Sequence, residues 1–149
     1  MTRLSSSFVR DRELILVEAE VVGPTGRTIE VRLVLDTGAA ATTLMPSVTE
    51  KVGYTRRDRF KTAKVHTAIG EEQGYWLRVA EFTVLGVTTL NFALTVFPLG
   101  HKDIDGLVGM NFLRHFNFEV RQADRQILLE LVDGAHGAGP DRADGRPKR

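Results

Sequence analysis

Apolar and polar residues alternate over short runs along most of this chain, and the breaks between runs fall on glycine and proline. Residues 14–22 and 27–35 form two such runs, with Gly23-Pro24-Thr25-Gly26 between them. That arrangement predicts a β-hairpin. In the second run Ile29, Val31, Leu33 and Leu35 alternate with Glu30 and Arg32, which turns one face inward. Pro46 opens and Gly53 closes a segment that suits one short helix. Residues 61–69 and 75–85 are strand-like around Gly70-Glu71-Glu72-Gln73-Gly74, and after Gly86 comes another strand at 87–97. Residues 98–105 read as a loop and 110–115 as helix-like, with Asn111 a candidate cap. Residues 116–120 and 126–131 close a last hairpin. The pattern predicts an all-β chain with one or two short helices and no internal repeat.

A length of 149 residues suits one domain with a substantial core. The expected boundaries are a loose arm at 1–12, a folded domain at 13–132 and a disordered tail at 133–149. The tail's Gly, Ala, Pro, Asp and Arg hold too little apolar bulk to offset ordering entropy. A net charge of +1 removes the electrostatic case for nucleic acid or an anionic membrane as main partner. The basic run Arg56, Arg57, Arg59, Lys61 and Lys64 reads as a solvated face.

The chain has no cysteine, which excludes thiol catalysis, disulfides and cysteine-zinc sites. His66, His101, His115 and His136 are scattered without metal-site spacing, so neither metal nor cofactor is expected. The N-terminus lacks a signal-peptide core, and no run approaches the roughly 20 apolar residues of a membrane span. The expected location is cytoplasmic, although a domain cut from a larger membrane protein would carry the same pattern.

Within this pattern, residues 34–39 run Val-Leu-Asp-Thr-Gly-Ala: an aliphatic strand ending in a single Asp-Thr-Gly turn. Asp and Gly are common turn formers, so the tripeptide alone also suits a plain strand end. Its context is more specific. Ala39 follows, then Thr43-Leu44, and further along Leu107-Val108-Gly109 leads into the second helix.

This combination resembles the retropepsin-like aspartic peptidases, in particular their single-domain bacterial and Ddi1-like branches. The resemblance extends from about Leu14 to Leu131 and implies a closed, barrel-like acid-protease fold. It implies that Asp36 is the catalytic carboxylate of an aspartic endopeptidase. Because the sequence holds one Asp-Thr-Gly, the second carboxylate would be Asp36 of another copy in a homodimer. Thr37 would reach the other subunit's backbone, and Gly38 would leave room for the substrate backbone. Residues 69–74 would form the tip of a flap over a peptide substrate, with Ile69 and Gly70 as contacts and the glycines as hinges. The terminal strands would add interface, with residues 127–132 the most apolar candidate. Tyr75 and Trp76 could touch substrate or cover the core, the second being the stronger expectation.

There are departures from the retroviral pattern. Its Asp and Arg, which form an ion pair near the site, are replaced here by Ala40 and Met110. Losing both together strands no buried charge. Ala39 lacks the hydroxyl that pepsin-like lobes carry there, which implies a mildly acidic to near-neutral working pH. Asp103 and Asp105 are read as turn residues. The rival reading is a catalytically weak peptide-binding or dimerisation module of the same fold.

Overall fold

In a computed structural model of the chain, residues 2–100 and 103–131 are described. The first long hairpin pairs β3 (Leu14–Val22) with β4 (Thr28–Leu35), from Leu16 opposite Val34 to Val22 opposite Thr28. Gly26 sits at φ +93°, a conformation that glycine adopts without a β-carbon penalty. Then come β5 (Thr43–Leu44), α1 (Pro46–Lys51), a 3-10 turn at Arg56–Asp58, β6 (Lys61–Thr67), β7 (Gly70–Val84) and β8 (Val87–Val96). The chain goes on through β9 (Gly106–Val108) and α2 (Met110–Leu113) to β10 (Asn117–Arg121) and β11 (Gln126–Leu131).

The sheet order β3-β4-β9-β5-β8-β7 returns on itself, because β3 also pairs with β7 from Ala19 opposite Val84 to Val22 opposite Glu81. Six strands thus close a barrel, which leaves them no long free edge. Leu33, Leu77, Val79, Leu94 and Phe82 point inward and are fully buried. Phe82 stacks on Phe92 at 4.9 Å, and Phe112 from α2 sets its edge against both rings. Tyr54 stitches the closure: its hydroxyl donates to the Val22 carbonyl at 3.0 Å and accepts from the Ala80 N–H at 2.7 Å.

The N-terminal arm is not loose. β1 (Thr2–Ser7) pairs antiparallel with β11, and β2 (Val9–Asp11) pairs with β3. The sequence hid this because Thr2–Ser7 is mostly polar and gains its pairing from a distant strand. β11 is the centre of a three-stranded sheet ordered β1-β11-β10. Ile127 and Leu129 are buried within the same chain, so β11 offers neither a free edge nor those side chains to a partner. The tail expected at 133–149 lies outside the described residues. Among the described residues no helix is long and apolar enough to cross a membrane.

Candidate active site

β4 and β9 run parallel, with Leu35 opposite Val108, and the ladder's last bond fixes the following residue. The Asp36 N–H donates to the Val108 carbonyl at 3.0 Å. The turn then closes on itself: the Gly38 N–H donates to Asp36 Oδ1 at 2.9 Å, and the Ala39 N–H to the Asp36 carbonyl at 3.2 Å. These bonds orient a half-buried carboxylate, with Thr37 and Gly38 exposed beside it. A β-carbon on Gly38 would stand 3.3 Å from Asp36 Oδ1, so the glycine keeps the carboxylate uncrowded as well as leaving space outside.

Beneath the turn the chain crosses itself. Gly109 passes so close to the loop after Gly38 that a β-carbon would lie 2.6 Å from the Ala41 carbonyl oxygen. At Gly106 it would meet the Thr43 carbonyl. This crossing is why the apolar-apolar step is flanked by glycine. The Met110 and Asn111 N–H groups donate to the Ala39 and Ala40 carbonyls at 2.8 and 3.0 Å.

Asn111 is not the helix cap the sequence suggested; Gly109 holds that position. Its buried side chain accepts from both the N–H and the hydroxyl of Thr42, each at 2.8 Å, and donates to the Ala93 carbonyl at 2.8 Å. The Thr42 hydroxyl in turn accepts from the Gly109 N–H at 3.1 Å. Thr42 is fully buried and Asn111 nearly so. This network ties the loop after the Asp36 turn to α2 and β8. Sequence reasoning missed it; the available signal was a polar Asn between the apolar Met110 and Phe112.

The flap differs from its expected outline. β6 and β7 pair from Lys61 opposite Trp76 to Thr67 opposite Gly70, so the turn is Ala68-Ile69 and residues 70–74 are strand. Ile69 is 98% exposed at the tip. Gly70, directly after that turn, takes φ +136°, beyond what side-chain residues favour. Gly74 is no hinge. A β-carbon there would fall 2.2 Å from the Val96 carbonyl oxygen and press on the Phe97 ring. It is the point where the flap rests on the barrel.

Between turn and flap lies an open cleft of about 630 Å³, lined by Gly38 to Ala41, Trp76, Phe97, Leu99 and the inner face of the hairpin. The two aromatic residues divide: Tyr75 is buried in the core, whereas Trp76 lines the cleft. Ala40 is exposed and Met110 half-buried, so no ion pair forms at those positions. Asp105, read as a turn residue, instead ties the start of β9 to β4: its Oδ2 accepts from the Arg32 N–H at 2.8 Å. Among the described residues no cluster of His, Cys, Asp and Glu could hold a metal ion.

The chain matches the model of the family described as "gag-polyprotein putative aspartyl protease" over residues 25–115. No curated protein matches it. Among solved structures it is similar to the crystal structure of a retropepsin-like aspartic protease from Rickettsia conorii, with a TM-score of 0.64 and 23% identity. That likeness covers 87% of this chain and 99% of the other, and at this identity it speaks for the fold. The family match spans the Asp36 turn, the flap and the crossing at Gly109, more than half of the sequence, and the chain belongs to the gag-polyprotein aspartyl protease family.

Proposed function

We propose that the chain is an aspartic endopeptidase working as a two-fold homodimer, with Asp36 of each subunit supplying one catalytic carboxylate. One observation carries the reading: a half-buried carboxylate on a turn pinned from below opens beside an apolar cleft roofed by a hairpin. One chain supplies one such turn, and the chemistry needs two, so a symmetric pair is the economical solution.

Two carboxylates about 3 Å apart cannot both ionise cheaply, so the pair holds one proton. The ionised member takes a proton from a bound water as that water attacks the scissile carbonyl. The protonated member donates to the carbonyl oxygen, and the leaving nitrogen is protonated as the bond breaks. Thr37, exposed next to Asp36, is suited to reach the partner's backbone. Ile69 and Gly70 at the flap tip would close on an extended peptide and exclude water. Trp76, Phe97 and Leu99 suit apolar side chains beside the cut.

The test is cleavage of a diverse peptide library, wild type beside Asp36→Asn, with sedimentation of both. The expected result is a loss of at least about a thousandfold in the variant, with the dimer unchanged. Peptide binding without turnover in the wild type would favour a non-catalytic binding module instead.

A further inference from the structure

The flap's pairing register sorts its side chains onto two faces. Lys64 and His66 on β6 stand opposite Gln73 and Glu71 on β7. On that face charge is matched: Glu71 lies 4.0 Å from Lys64 Nζ and 3.5 Å from His66 Nδ1. The other face carries Ala63, Val65, Glu72 and Trp76 toward the cleft. Glu72 is its one acid, half-buried among apolar neighbours, with Val65 directly across the ladder. Among the described residues no hydrogen bond or ion pair satisfies its carboxylate. Of the flap's lysines, Lys61 is exposed at the flap base beside Trp76, outside the cleft lining, whereas Lys64 also borders the cleft but sets its ammonium 4.0 Å from Glu71 on the opposite face.

A carboxylate held on the lining of a substrate cleft with no protein partner is a socket for a cation. We infer that Glu72 is a specificity-determining residue that selects a lysine or arginine side chain in the bound peptide. Glu72 follows the tip residue Ile69 by three strand residues, roughly 10 Å of extended chain. The recognised cation therefore belongs some distance from the cut, outside the apolar side chains that flank it. A two-fold dimer places a second Glu72 at the other end of the substrate, so a basic residue is favoured on both sides. The inference rests on the peptidase reading for where peptides lie, but its charge preference is a property of binding.

The experiment uses labelled peptides with an apolar pair at the centre and one Lys or one Glu walked outward on either side. Their binding to Asp36→Asn protein is measured beside their cleavage by the wild type. The Lys peptide is expected to bind about tenfold more tightly than the Glu peptide at one position per side. Glu72→Gln should bring that ratio close to one, Glu72→Lys should invert it, and added salt should shrink it. Melting temperatures of both variants should stay near wild type, because the side chain is partly exposed and makes no internal bond. A ratio that survives Glu72→Gln, or no preference for Lys at any position, overturns the inference. Charge-selective binding without wild-type cleavage would sustain the Glu72 assignment while sinking the peptidase reading; cleavage blind to charge would do the reverse.

Discussion

Below the cleft, Asp36 sits on backbone tied to β9, α2 and, through Asn111, to β8, whereas above it the hairpin ends in an isoleucine that is 98% exposed. The floor satisfies its polar groups internally and is packed so closely that Gly106 and Gly109 leave no room for a β-carbon. The roof is held by its own ladder and by the rest at Gly74. Reacting groups need fixed geometry, and a lid needs a conformation it can leave. Under the proposed function, the contrast divides labour between a preorganised base and a lid that opens and closes.

The largest effect on stability is expected in the floor. Asn111→Ala strands the Thr42 N–H and the Ala93 carbonyl in a buried site and should cost about 2–4 kcal/mol. Thermal or urea unfolding of the variant reads this, and an unchanged midpoint would refute the locking role. Gly74→Ala comes next, at about 1–3 kcal/mol, because the new methyl meets backbone and the Phe97 ring. A stable Gly74→Ala protein with unaltered protease sensitivity in the flap would show that the resting point does not exist.

A smaller effect lies at the barrel closure between β3 and β7. Burial pushes the Tyr54 phenol above its ordinary value, and the hydrogen bond from Ala80 offsets that in part. A raised folded-state value means this contribution is complete below about pH 10 and fades as pH rises through the folded value. Tyr54→Phe should therefore be less stable near neutrality and lose less stability above pH ~10, as alkaline melts would show. Smallest in stability terms is Ile69→Ser, expected within about 0.5 kcal/mol of wild type because the side chain touches little. Its effect should appear instead in kcat/KM. A large drop in melting temperature would mean that the tip is packed after all.

The same contrast governs what could be read from the sequence. The barrel strands were legible because apolar alternation reports which face meets the core, and the first helix because Pro46 opens it and Gly53 closes it. The Asp36 turn and the glycine crossing were legible because each needs particular residues. Less visible were features that depend on partners far along the chain. Thr2–Ser7 is a strand because β11 supplies its ladder, not through its own apolar content. Asn111 read as a cap because its three side-chain bonds go to Thr42 and Ala93, distant in sequence. In the flap, Gly70 and Gly74 looked like a matched pair of hinges. One takes φ +136° directly after the turn and the other makes room for a neighbouring strand, which composition alone cannot separate.

The central claim is that each active site takes one Asp36 from each of two chains, and subunit mixing tests it most directly. Wild-type protein is titrated with Asp36→Asn protein, allowed to exchange, and assayed at constant wild-type concentration. Random pairing predicts that activity falls to about one half on an equal mixture and continues downward with excess variant. Activity that stays constant at every ratio, with subunit exchange verified, would contradict the shared site.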